Sequence, residues 1–465
     1  MEPATATSSS NIAVYARVRP ASRAASTVVA VEGDGASLLV GAERYSFTHA
    51  SGPETTQEAM FEAAGRPISD SALAGYNCTL FAYGQTGSGK THTIYGPMEG
   101  RDAAQRGLLP RTLDYVFAQM RSKEEGSSGR LKFSVKVSFL EVRGGPPAAA
   151  STPPLRHPPP PTPRASTAPT PPTPHPHPLP APLPLAAQIY NERIFDLLES
   201  EPAATAAASA AGGVDAGLQI REHKVKGQFV EGLTELAVGS AAEAHEALAR
   251  GLRNRTTAST AMNRESSRSH SVFSLQLESS ERDAEDPKRA RCRASRFHII
   301  DLAGSERQRV TQAAGERLKE ACGINKSLSC LTSVIHALVD IGQQGKARFV
   351  PYRDSKLTLL LRDSLGGNSK TVVVANVAPT EDCLGETLST LKFAQRAKLV
   401  KNTPVVNEES AGSVASLSAE LKAARALLAE WKLSGGAGGS SSTLPYRTTL
   451  AALVFFAFMF ARLSC

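Results

Sequence analysis

Eight residues, Gly84-Gln85-Thr86-Gly87-Ser88-Gly89-Lys90-Thr91, carry the most specific chemistry in this 465-residue chain. The spacing G-x-x-x-x-G-K-[ST] suits a loop whose backbone N–H groups close around phosphate oxygens. Lys90 would neutralise the β- and γ-phosphates, and the Thr91 hydroxyl would coordinate Mg²⁺. The loop needs a strand before it and a helix after it. Thr79 to Tyr83 reads as that strand, and the helix that follows would add favourable polarity for an anion.

Two further runs hold polar chemistry. Asn263-Arg264-Glu265-Ser266-Ser267-Arg268-Ser269-His270 packs hydroxyls and cations into one stretch. Asp301-Leu302-Ala303-Gly304-Ser305-Glu306 follows an apolar strand, which puts Asp301 at the strand's C-terminal end, where ligands collect in open α/β sheets. Gly304 can bring a backbone N–H against a terminal phosphate.

These residues need a scaffold, and the rest of the chain supplies one. Asn11 to Pro20 alternates apolar and polar residues as a half-buried strand, and Lys132 to Leu140 is β-rich. Phe297 to Leu302 and Thr371 to Val377 are short apolar strands suited to a sheet covered on both faces. Helical stretches such as Glu320 to Ile341 and Gly385 to Val400 intervene. This alternation argues for a three-layer α/β domain with a central, mostly parallel sheet flanked by helices. With 41% hydrophobic and 21% charged residues, fibrous, collagenous and wholly disordered classes are excluded. The six cysteines show no metal-ligand rhythm and read as reduced cytosolic thiols. Met1 to Asn11 lacks the apolar core of a secretory signal.

Taken together, the three runs resemble the kinesin motor domain, with N-x-x-S-S-R-S-H as its first switch and D-L-A-G-S-E as its second. The resemblance covers roughly Asn11 to Asn407. It extends through Tyr352-Arg353-Asp354-Ser355-Lys356-Leu357-Thr358, Leu361-Arg362-Asp363-Ser364-Leu365-Gly366-Gly367 and Leu388-Ser389-Thr390-Leu391-Lys392-Phe393-Ala394. Val405-Val406-Asn407-Glu408 and Arg317-Leu318-Lys319-Glu320 add a likeness to the class-twelve, spindle and phragmoplast-associated kinesins. The fold implied is a three-layer P-loop NTPase motor domain. The function implied is an ATP-dependent, microtubule-stimulated motor ATPase of the cytoplasm and cytoskeleton.

The resemblance also assigns roles. Arg17, Arg19 and Pro20 match the family's R-x-R-P beside the adenine, and Tyr76 and His92 match positions lining the base. Ser267 would help Thr91 hold Mg²⁺, with Asp301 acting through a water, while Asn263 and Ser266 face the phosphates. Arg268 and Glu306 would form the ion pair that closes the switches, and Gly304 would sense the γ-phosphate. Lys326, in Ile324 to Leu328 of the tubulin-facing helix, joins Arg353, Lys356 and Arg362 as the cations expected to meet acidic tubulin. A neck linker would begin near Lys398 and be latched by Asn407. Pro404 stands where the family more commonly has a β-branched residue.

The family's strand runs straight from Leu140-Glu141 into Ile189-Tyr190-Asn191-Glu192; here 47 residues, Val142 to Gln188, intervene. They hold 18 of the 30 prolines and no acidic residue, which predicts a disordered or polyproline-like stretch. Val-Arg at the start and Gln at the end can be coded by intron-boundary triplets, so the stretch reads as a translated in-frame intron. A second outcome of such an insert is a microtubule-binding protein with impaired motor activity. Residues 1–10 read as a disordered extension, 408–433 as a short neck, 434–449 as a Gly/Ser linker and 450–465 as an apolar tail. Val414, Leu417, Leu421, Ala424, Leu428 and Trp431 make a short heptad seam, enough for a weak homodimer at most. The apolar run Leu450 to Ala461 has 12 residues, against about 20 to span a bilayer, which argues against a membrane-anchored adaptor. The net charge of +8 favours an acidic partner, but no nucleic-acid motif accompanies it.

Overall fold

Strands buried on both faces must be apolar throughout, and Cys78-Thr79-Leu80-Phe81-Ala82-Tyr83 is buried at all six positions in a computed structural model of the chain. The structure describes residues 9–21, 26–97, 102–144, 192–199, 217–223, 227–261, 268–283, 290–306, 316–345 and 348–411. Ten strands form the main sheet. They are β1 (Ala13–Val18), β2 (His49–Ser51), β3 (Cys78–Tyr83), β4 (Leu131–Gly144), β5 (Glu192–Asp196), β6 (Leu236–Ala237), β7 (Ser269–Arg282), β8 (Ala290–Asp301), β9 (Lys370–Val377) and β10 (Glu408–Ala411). The main helices are α1 (Arg66–Leu73), α2 (Lys90–Ile94), α3 (Leu108–Gly126), α4 (Ala241–Ala261), α5 (Glu316–Gln344), α6 (Lys356–Leu360) and α7 (Leu384–Ala397).

The order across the sheet is β6-β4-β7-β8-β3-β9-β1-β2, with β5 beside β4 and β10 beside β8. The sheet is mixed. It is parallel from β8 through β2, where the phosphate loop sits, and antiparallel from β8 out to β6. Strand alternation splits the core into two layers. Leu80, Ala82, Phe139, Phe273 and Val374 pack with α1, α3 and α4, whereas Phe81, Leu140, Val272 and Val373 pack with α5, α6 and α7. Each large apolar side chain buried this way contributes about 1.5–3 kcal/mol. The three-layer expectation is met.

Two boundaries differ from the sequence reading. The stretch beginning at Val142 was expected to lie outside the sheet, yet β4 runs on to Gly144 with Val142 fully buried. Val142, Arg143 and Gly144 pair with Ile194, Arg193 and Glu192 of antiparallel β5, so the excursion leaves where a hairpin turn would sit. An apolar residue at 142 is all the register requires there, which is why the strand continues. Likewise Glu408, expected to open the neck, begins β10 against β8. Its carboxylate lies 3.1 Å from Arg291 and 2.8 Å from Arg293. The Pro-rich residues 145–188, the heptad seam, the Gly/Ser linker and the apolar tail lie outside the described residues, as do residues 1–8. Among the described residues no helix is long and apolar enough to cross a membrane.

Candidate nucleotide site

The phosphate loop leaves β3 through Gly84, whose φ of +150° and lack of room for a side chain both demand glycine. A Cβ there would stand 2.2 Å from the Asn376 carbonyl oxygen at the end of β9. Gly87 and Gly89 also have positive φ, and Ser88 is buried between them. Lys90 folds back at the start of α2, where its Nζ donates to the carbonyls of Gly84 and Gln85, both at 2.9 Å. Burial pushes its pKa down, while Asp301 and Glu306 pull it up. Gln85 lies along the loop with its Nε2 donating to Cys383 Sγ at 3.1 Å.

Thr91 Oγ1 donates to Asp301 Oδ2 at 2.8 Å, so the expected metal-binding hydroxyl and carboxylate do meet. Asp301 is 2% exposed and its other oxygen, Oδ1, has no partner. An unsatisfied carboxylate oxygen beside a hydroxyl is a hard oxygen set that fits Mg²⁺. No group of three or more His, Cys, Asp or Glu side chains that could hold a metal occurs among the described residues. Ser267, with Asn263 and Ser266, lies outside the described residues.

The loop after β8 closes over the phosphate loop. Ser305 N–H donates to Gly84 O at 3.0 Å. Glu306 accepts from Thr86 N–H at 2.8 Å and from Thr86 Oγ1 at 2.6 Å. A Cβ on Gly304 would stand 2.2 Å from Glu306 and 2.3 Å from Thr86, so only glycine fits between them. The expected Arg268–Glu306 ion pair is therefore not formed. The carboxylate instead satisfies an exposed N–H of the anion-binding loop, the nearest donor seeking a negative group.

The base-side expectations divide. Arg17 is buried, and its guanidinium donates to Gln57 Oε1 at 2.8 Å, Thr93 Oγ1 at 2.9 Å and Thr55 O at 3.4 Å. A buried cation must spend its donors this way, so Arg17 braces β1. Arg19 and Pro20 follow β1 at the same sheet edge as the loop, with Arg19 N–H bonded to Val377 O at 3.1 Å. His92 is exposed on α2, its pKa lowered by partial burial and by Arg17. Tyr76 precedes β3, eight residues before Gly84, with the length of the strand, about 20 Å, between it and the phosphate loop. Its ring lies 3.9 Å from Lys370 Nζ, and the residue bridges to Val406, so it cannot line the base.

Of the cations expected at tubulin, Arg353 and Arg362 share Glu222, at 3.2 and 2.5 Å. Glu222 lies in a hairpin (Gln219–His223 with Gly227–Glu231) that the sequence reading missed. Lys356 is partly buried, with Nζ donating to Leu218 O at 3.3 Å, and burial lowers its pKa. Lys326 is half-buried one turn from Cys330 of α5, whose thiol reaches Asp354 O at 3.7 Å. The four thus share one side of the domain.

Sequence reasoning also missed Arg255 of α4 and Glu141 of β4. Arg255 is buried with Nη1 3.6 Å from Asp301 and Nε 3.7 Å from Glu141, and Arg143 lies 2.5 Å from Glu141. Asn376, whose Nδ2 donates to Thr93 Oγ1 at 2.8 Å, was missed too. None belongs to a local pattern; each matters only through the tertiary fold.

Residues 23–144 and 185–400 match the family described as the kinesin motor domain. The kinesin-like protein KIF15 of Rattus norvegicus is 43% identical over 443 residues, covering 92% of this chain and 27% of the relative. The kinesin-like protein KIN-12D of Arabidopsis thaliana is 42% identical over 384 residues, covering 82% of this chain and 12% of the relative. The chain thus spans about a quarter or less of the length of these relatives. A solved structure of a KIF14 dimer bound to a microtubule aligns with TM-score 0.65 and 33% identity, covering 86% of this chain and 96% of that one. With a family model matching most of its length and relatives above 40% identity, the chain belongs to the kinesin motor domain family.

Proposed function

We propose that the chain is an ATP-driven microtubule motor of the cytoplasmic cytoskeleton. The observation that carries this reading is the convergence of Lys90, Thr91, Asp301, Gly304 and Glu306 on one loop, with the cationic face of Lys326, Arg353, Lys356 and Arg362 on the same domain.

Lys90 and the loop amides would hold the phosphates of ATP, while Arg19, Pro20 and His92 border the base. Thr91, Ser267 and, through a water, Asp301 would hold Mg²⁺. That ion, when bound, neutralises phosphate charge during transfer. An incoming phosphate competes with the Glu306 carboxylate for Thr86 N–H. Glu306 is then released toward Arg268, and the Gly304 N–H turns to the γ-phosphate, so the switches close in response to ligand. Asn263 and Ser266 would complete the phosphate cage. No strong base is required, since phosphoryl transfer rests on positioning and charge stabilisation.

Movement would come from residues 398–411. Asn407 Nδ2 donates to Gly75 O at 3.2 Å, Asn77 Oδ1 at 3.1 Å and Ala294 O at 3.1 Å, and Asn407 Oδ1 accepts from Asn368 Nδ2 at 3.0 Å. With β10 paired to β8, this supports a linker that docks along the domain with Asn407 as its latch. Pro404 lies between described contacts at Thr403 and Val405, so proline is compatible with the docked path. Co-pelleting with polymerised tubulin tests the coupling. More chain should pellet with a non-hydrolysable ATP analogue than with ADP; equal pelleting in both would contradict it.

A further inference from the structure

His270 opens β7 as a buried imidazole bonded to two other elements. Its Nδ1 accepts from the Ala303 N–H at 3.0 Å, one residue before Gly304. Its Nε2 lies 2.7 Å from Ser327 Oγ on α5, the helix that also carries Lys326. Because an amide N–H can only donate, Nδ1 must be unprotonated, and the single ring proton sits on Nε2 and is given to Ser327. Burial, with Arg255 and Lys90 nearby, pushes the imidazole down to about 3, so this neutral tautomer persists across physiological pH.

One ring therefore ties the strand that follows the first switch run, the loop that carries Gly304, and the helix on the cationic face. We propose that His270 is a positioning residue that transmits the position of the Gly304 loop to α5, coupling nucleotide turnover to the microtubule-facing helix. This rests on the motor reading above. A shift of the Ala303 amide must either drag the imidazole, and with it Ser327, or break a buried hydrogen bond. A buried hydrogen bond left unmade is costly, which favours the elements moving together.

The two bonds can be cut separately. His270→Asn keeps an acceptor near the Nδ1 position for Ala303 but has no group to reach Ser327. Ser327→Ala cuts the same link from the helix side, and Ser327→Thr retains a hydroxyl. ATP turnover would be measured against microtubule concentration. Removing the link should lower the maximal stimulated rate about tenfold in each of the first two variants, with the half-saturating microtubule concentration within about twofold of wild type. The double variant should be no slower than either single one, the non-additivity expected of one shared interaction. Ser327→Thr should recover most of the rate. Additive losses, or a Ser327→Ala protein as fast as wild type, would overturn the inference while leaving the motor reading intact. A wild-type chain without microtubule stimulation would overturn both.

Discussion

Asp301 shows what a single residue must satisfy at the site. It is buried, accepts a hydrogen bond from the Thr91 hydroxyl, and keeps one oxygen open. Arg255 stands behind it at 3.6 Å and also faces Glu141 at 3.7 Å, so one guanidinium holds two buried carboxylates. Breaking a buried ion pair by removing one partner leaves an uncompensated charge, which costs about 3–5 kcal/mol. Arg255→Leu should therefore lose stability on that scale, read as a lower urea midpoint at unchanged slope. An unchanged midpoint would show that Arg143 alone satisfies Glu141. The phosphate loop and Asp301 were legible in the sequence because their chemistry is local: types and spacing suffice. Arg255 was not, because nothing nearby in the chain marks the face of α4 that meets β8. Tyr76 misled for the same reason. A motif match gives the residue type but not which end of a strand it occupies or how deeply it is buried.

Elements were legible where burial makes the sequence uniform. β3, β9 and the inner end of β8 are mostly apolar and fall where expected. The long β7 and the outer half of β8 were missed because Ser279 to Arg282 and Arg291 to Arg293 extend beyond the core and read as polar loop. This same pair supplies a pH prediction. His298 accepts or donates with Ser274 Oγ at 2.7 Å, and its burial, with Arg296 nearby, holds it at about 4; His270 is held at about 3. An unfolded chain would protonate both near 6.5. Between these values the unfolded state binds more protons, so stability is full above about pH 6.5 and is lost as pH falls. From pH 7 to pH 5 the loss should be about 2 kcal/mol per histidine, checked by urea titration at both pH values with His298→Asn halving the change. The β4–β5 pairing supplies another. Removing Val142 to Gln188 would place Ile189 and Tyr190 in the register of Val142 and Arg143, leaving Asn191-Glu192 as the turn. Two-residue connections are the commonest in antiparallel hairpins. The shortened chain should fold with a thermal midpoint at or above that of the full chain. Loss of folding would show that the excursion is needed.

At the scale of the molecule, three layers put the nucleotide loop, a helix carrying Lys326 and the latched segment at Asn407 around one sheet. Net charge said little about this arrangement. The three arginines of Val142 to Gln188 account for part of the +8, and Glu222 pairs with two of the cations on the expected tubulin face. Placement, rather than charge total, carries the case for an acidic polymer. The central claim is that this domain turns over ATP under microtubule control. Steady-state phosphate release by the full chain, measured with and without polymerised tubulin, tests it most directly. The account predicts slow release alone and at least about a tenfold rise with microtubules, abolished in Lys90→Ala. Release that is the same with and without microtubules, or that survives loss of Lys90, would contradict it.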